Sequence, residues 1–187
     1  MLLATACGQQ SDDRVESTDT GATDSLQSQI AATTPFVTVD CTSLQGMPVD
    51  APPDGTTIGA VTAIFQPNGA PAITVATDAS PATELGVADI SVGTGDTAEA
   101  GDTLTVNYCG VGLGTKAVFD SSWTRGEPAT FSLDGLIPGW QEGLPGMQVG
   151  GQRLLVIPSE LGYGEQGTQG IPPNETLVFV VQLESIG

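Results

Sequence analysis

The chain has 187 residues, enough for one ordinary domain with an extension, and sets 22 acids against four bases (Arg14, Lys116, Arg125, Arg153), a formal net charge of −18. That balance excludes nucleic acid as a partner and disfavours an anionic membrane surface, because both need clustered Lys and Arg. There is no histidine, which rules out a Ser-His-Asp triad, a Cys-His pair, an imidazole base and any histidine-ligated metal.

In chain order, residues 1–7 read Met1-Leu2-Leu3-Ala4-Thr5-Ala6-Cys7. Leucines, then small residues, then a cysteine resemble the lipobox of bacterial lipoproteins, in which the cysteine is lipidated and becomes the mature N-terminus. The resemblance implies that 1–7 are the remnant of a lipoprotein signal, with an upstream start supplying the charged and apolar regions. Cys7 would then be the lipidation site of an extracytoplasmic protein anchored to the bacterial cell membrane. No stretch approaches the roughly 20 apolar residues of a membrane span, so any membrane contact is expected through that lipid alone. Residues 8–34 are polar and acidic, keep no period, and are expected to be a disordered tether. Residues 35–83 are expected to be an N-terminal extension, partly strand, too small to fold alone and docking on the main domain. Within it, 36–39 and 58–65 could be short strands either side of a Pro/Gly/Asp loop over 45–57.

Beyond residue 84 the pattern sharpens. Ala88, Ile90 and Val92 alternate with polar neighbours. Leu104, Val106 and Tyr108 face one way, and Thr103, Thr105, Asn107 and Cys109 the other, the period-2 pattern of a strand. Ala129, Phe131 and Leu133 form another such face, 154–157 are a short apolar run, and Leu177, Phe179, Val181 and Leu183 make the last strand. Only 138–146 read as helical: Pro138 suits the first helical position, Trp140 and Leu144 share one side, and Pro145-Gly146 stop it. Antiparallel strands with one short helix predict an α+β domain, a curved sheet with the helix on its concave face.

The resemblance of this region to a known family is carried by five blocks in order. They are Phe119-Asp120-Ser121-Ser122, Gly135-Leu136-Ile137-Pro138-Gly139-Trp140-Gln141-Glu142-Gly143-Leu144, Met147-Gln148-Val149-Gly150-Gly151, Ile157-Pro158-Ser159-Glu160-Leu161-Gly162-Tyr163-Gly164, and Ile171-Pro172-Pro173-Asn174-Glu175-Thr176-Leu177-Val178-Phe179. Over 84–187 the chain resembles the FKBP-type peptidyl-prolyl cis-trans isomerases. The resemblance implies a five- to six-stranded antiparallel half-barrel wrapped round one short helix, with an apolar cleft between helix and sheet. The cleft would hold Tyr108, Phe119, Asp120, Phe131, Leu136, Ile137, Trp140, Tyr163, Ile171 and Phe179. Trp140 would be its floor, and the Tyr163 hydroxyl and the Ile137 N–H would donate to substrate carbonyls. Asp120 would lie at the rim, paired with Arg125 or Tyr108. The implied partners are proline-containing polypeptides and macrolide-type inhibitors, and the implied state is a monomer. Two departures matter: Ala129 stands where well-known members carry a phenylalanine, and the loop over 165–170 has Thr168 and Gln169 in place of an aromatic or histidine.

The residues agree with that chemistry. Rotation about an X-Pro bond has a barrier of about 18–20 kcal/mol and breaks no bond. It needs neither nucleophile nor metal nor cofactor, and none is expected here. What helps is an apolar seat that removes water from the amide, with donors placed for the twisted state. Each aromatic could equally be plain core. The alternative function is a module that binds or chaperones proline segments with little turnover. The acidic excess fits a solvated surface, and no spaced Asp loop for calcium is present. With Cys7 lipidated, Cys41 and Cys109 remain as an even pair in an oxidising compartment, either bridged or as two free thiols. Cys109 is expected on the polar side of its strand.

Overall fold

The computed structural model describes residues 35–43, 45–49 and 53–187; Cys7 and the tether expected over 8–34 lie outside the described residues. Eleven strands make two antiparallel sheets among them. The first sheet holds β1 (Phe36–Asp40), β2 (Gly46–Val49), β3 (Thr56–Ile58), β4 (Val61–Phe65) and β5 (Pro71–Ala76), in the order β2-β1-β5-β4-β3. The second holds β6 (Gly86–Ser91), β7 (Thr103–Gly112), β8 (Val118–Ser121), β9 (Ala129–Ser132), β10 (Gln152–Ile157) and β11 (Leu177–Ile186). Its order is β6-β10-β11-β7-β8, with β9 on the first half of β7 and β8 on the second.

The two α-helices among the described residues are short. A single turn, α1 (Ser122–Arg125), follows β8, and α2 (Pro138–Gly143) carries Trp140. α2 starts on Pro138, whose fixed φ suits the first helical position and keeps the preceding Ile137 extended (φ −61°, ψ 146°). It lies unusually near the sheet. A Cβ at Gly139 would stand 2.4 Å from Ile157, and one at Gly143 2.8 Å from Leu155. Two glycines four apart thus clear one side of the helix for β10. The end of α2 is held by Arg153, buried under it, whose guanidinium donates to the carbonyl oxygens of Gly143 (2.9 Å) and Pro145 (3.2 Å) and to Asp89 (2.7 Å). A cation there also meets the negative end of the helix dipole.

The second sheet is covered on both faces. On one, Leu104, Val106, Tyr108, Leu155, Ile157, Leu177, Phe179, Val181 and Leu183 pack with Trp140, Leu144 and Met147. On the other, Cys109, Val111, Leu154, Val156, Val178 and Val180 pack against Val39, Cys41, Val61, Ala63, Ile73 and Val75 of the first sheet. Neighbouring residues of β10 and β11 therefore serve different cores, the arrangement that an unbroken apolar run suits.

Several expectations need correction. Residues 58–65 form not one strand but a hairpin, β3 and β4, turning at Gly59 (φ +55°) with Ile58 opposite Val61. The loop expected over 45–57 contains β2 and the start of β3. Cys109 is not on a polar face: it is fully buried, because the first sheet covers that half of β7. Val92 lies past the end of β6 and is 70% exposed. Cys41 and Cys109 are joined in a disulfide, with Cα atoms 6.0 Å apart.

Candidate active site

All ten residues expected at the cleft line a single cavity of about 320 Å³, together with Thr168 and Gln169. This is within the range of small-ligand pockets. Its base is aromatic. Trp140, only 4% exposed, meets Phe179, Tyr108 and Phe131 edge-on, with centroids 5.2, 5.7 and 6.1 Å apart and rings within 5° of perpendicular. Phe119 meets Phe179 in the same way at 5.4 Å. Edge-to-face contacts of this kind suit the ring quadrupoles and fix ring orientation. Gly110 makes that pair possible, since a Cβ there would lie 2.5 Å from Phe119 and 2.8 Å from Phe179.

Leu136, Ile137 and Tyr163 also line the cavity. Leu136 and Ile137 lead into α2, and the Gln141 side chain donates to the Leu136 carbonyl at 2.7 Å. Ile137 is the residue before the helix, so its carbonyl accepts from Trp140 and Gln141. Nothing among the described residues accepts from its N–H. Tyr163 lies between two single 3-10 turns, Ser159–Leu161 and Gly164–Gln166, and is 39% exposed. The Trp140 Nε1–H is buried and has no acceptor among the described residues.

Asp120, Tyr108 and Arg125 close one rim. The Tyr108 hydroxyl donates to Asp120 and accepts from Arg125 at 2.9 Å, and Arg125 also pairs with Asp120. The guanidinium lies 5.5 Å from the centre of the Tyr108 ring. Both partners that the resemblance implied for Asp120, Arg125 and Tyr108, are thus in contact with it. Burial, and after it the bond to Asp120, pushes the Tyr108 phenol above its ordinary value of 10.0. The bond to Asp120 likewise raises the Arg125 guanidinium. Ala129 does not line the cavity; it is half-buried against the core beside it.

Thr168 and Gln169 are lining residues that sequence reasoning treated only as a departure. They sit on a tight loop closed by the pairing of Thr168 with Ile171. The short spacing to Ile171 was the available signal. Of groups able to hold a metal, the described residues contain no cluster of three or more.

The sequence profile of the FKBP-type peptidyl-prolyl cis-trans isomerases matches residues 95–184. FkpA of Escherichia coli (strain K12), an FKBP-type peptidyl-prolyl cis-trans isomerase by name, is 53% identical over 94 residues, which is 50% of this chain and 34% of that protein. The crystal structure of FkpA from Escherichia coli superposes with a TM-score of 0.52 at 50% identity, over 56% of this chain and 48% of that one. The chain therefore spans only about a third of the length of the FkpA relative it matches. A probable FK506-binding protein of Corynebacterium glutamicum is 49% identical over 102 residues, 54% of this chain but 86% of its own length. That relative is matched over most of its own length, and the chain belongs to the FKBP-type peptidyl-prolyl cis-trans isomerase family.

Proposed function

We propose that this chain catalyses cis-trans isomerisation of X-Pro bonds in polypeptides. The observation that carries the reading is the pairing of an apolar cavity floored by Trp140 with two unspent donors at its edge, the Ile137 N–H and the Tyr163 hydroxyl. A prolyl ring seated on Trp140 draws its amide out of water. Loss of hydration weakens the polarised, planar form of the amide more than the twisted one. The donors then hold the flanking carbonyls while the bond turns, so that binding favours the rotated state. No covalent step occurs, and no titratable group passes a proton. The names of the FK506-binding relatives support a macrolide as an occupant of the same cavity.

In this reading 84–187 are the isomerase domain and 35–83 an extension docked on its back. Cys7 anchors the protein outside the cytoplasm by a lipid. The Cys41–Cys109 disulfide supports an oxidising compartment. Among the described residues no helix is long and apolar enough to cross a membrane.

A protease-coupled assay with peptides differing in the residue before proline tests the activity. Catalysis well above the spontaneous rate, inhibited by FK506, is expected. Tight peptide binding with no rate gain would instead assign a holding function. Expression of the gene from its own start should label Cys7 with fatty acid, and an unlabelled cytosolic product would remove the anchor.

A further inference from the structure

The single turn α1 stands between the first sheet and the cleft. On one side Trp123 meets Phe65 of β4 edge-on, with ring centroids 5.9 Å apart. Ser121, just before α1, is buried and donates its hydroxyl to the Cys41 carbonyl at 2.9 Å. Cys41 is in turn bonded to Cys109, the residue directly opposite Ser121 in the second sheet. On the other side Arg125 holds Asp120 and the Tyr108 hydroxyl. Four residues closed by Gly126 (φ +74°) cannot keep an orientation unaided. The grip comes from outside the turn: buried Ser122 accepts from the Tyr108 N–H (2.9 Å) and donates to Asn107 Oδ1 (3.0 Å) on β7 of the second sheet, and the first sheet holds the Trp123 side. Among the described residues, Lys116 donates to the Leu113 carbonyl and Arg153 is buried at Asp89, so Arg125 is the cation that meets a cleft-lining carboxylate.

We propose that Phe65 and Trp123 are positioning residues: through them the first sheet holds Arg125 on Asp120 and so sets the charge that the cleft shows to the residue before proline. This rests on the isomerase reading. With Arg125 released, the Asp120 carboxylate is less compensated, and the rim repels an acidic residue and attracts a basic one.

The experiment compares kcat/KM on three peptides, with Glu, Leu or Lys before proline, at low salt. Trp123→Ala should lower the Glu-to-Lys ratio about three- to fivefold, the scale of a half-exposed ion pair. Trp123→Phe should restore the ratio, Phe65→Leu should move it the same way by less, and high salt should erase the difference. Arg125→Ala should mimic Trp123→Ala, and the double variant should add nothing to Arg125→Ala alone. Nitrogen-15 spectra of the guanidinium groups give a second readout: Arg125 Nη signals resolved in the wild type should merge in Trp123→Ala as rotation is freed. Should Trp123→Ala not fold, Phe65→Leu, which keeps apolar bulk, carries both measurements. An equal fall on all three peptides, or an unchanged ratio with unchanged Arg125 signals, overturns the positioning role. A wild type inactive on every peptide removes the isomerase reading instead, and the Arg125 signals then decide the placement on their own.

Discussion

Trp140 lines the cavity and also packs on Phe179, Tyr108 and Phe131, so its substitution mixes chemistry with stability. Truncation of a buried aromatic costs about 3–5 kcal/mol, so Trp140→Ala should lose rate and stability together. Trp140→Leu refills much of the volume and separates the two. Tyr163→Phe keeps the ring and removes one hydroxyl, which costs on the order of 1 kcal/mol of transition-state binding, or several-fold in rate. The expected order of kcat/KM is wild type, Tyr163→Phe, Trp140→Leu, Trp140→Ala. A Trp140→Leu protein as fast as wild type on every peptide would make Trp140 a core residue only. The pH dependence also belongs at this scale. The chain has no histidine, and the Tyr108 phenol is raised above 10.0, so kcat/KM should be flat between about pH 6 and 9. For stability the sign runs against alkali. A phenol that keeps its proton longer in the folded state contributes fully below pH 10, and its contribution is lost as pH rises through the folded value. Tyr108→Phe should flatten that alkaline fall in chemical denaturation; an unchanged fall would show that Tyr108 is not its source.

At the scale of elements, α2 can approach β10 only because Gly139 and Gly143 carry no side chain. Helix propensity alone favours alanine at both places by about 1 kcal/mol. Contact decides the other way: the added methyl of Gly139→Ala would stand 2.4 Å from Ile157, and overpacking typically costs about 1–3 kcal/mol. Gly139→Ala should therefore lower both the melting temperature and peptide affinity, since α2 carries Trp140, which lines the cavity. Gly135→Ala, where a Cβ meets nothing within 4 Å, is the control and should be close to neutral. If both variants melt alike, close packing does not govern the placement of α2. The same contrast explains what could be read from the chain alone. Of the strands after residue 84, β6, β7, β9 and β11 were legible because apolar residues alternate along them and β10 as a short apolar run, while β8 was not read as a strand; α2 was legible because Pro138, Trp140 and Pro145 punctuate it. The cleft was legible only through the family resemblance, since nothing in the spacing of Phe119, Phe131 and Phe179 separates lining from core. The first sheet was half legible. Gly59-Ala60 looked like the middle of a strand because both flanks are apolar, and β2 was hidden by Pro48 and its glycine. Burial of Cys109 could not be seen, because Thr103, Thr105 and Asn107 make that face polar until the first sheet reaches it.

For the molecule as a whole, the second sheet is the wall between two cores, and each core holds one of the two tryptophans. Trp140 belongs to the cleft side, while Trp123 packs against the side shared with the first sheet. Residues 154–157 and 177–181 alternate between the two, so neither core can open without disturbing the backbone of β10 and β11. The Cys41–Cys109 bond adds a covalent tie across the second core. It spans 68 residues, for which chain entropy gives about 4 kcal/mol of stabilisation. Such coupling predicts one cooperative transition, not two. Single-tryptophan variants, Trp123→Phe and Trp140→Phe, let fluorescence follow each core separately under denaturant. Their midpoints, each referred to its own circular-dichroism midpoint, should coincide with the disulfide intact. Reduction should lower both by a similar amount, because the tie constrains one shared unfolded chain. If the signal of Trp123 is instead lost well before that of Trp140, the first sheet unfolds as a separate unit. In that case the second sheet must survive with the apolar face of Val111, Leu154, Val156, Val178 and Val180 bared to water, and dye binding to that face would reveal the intermediate.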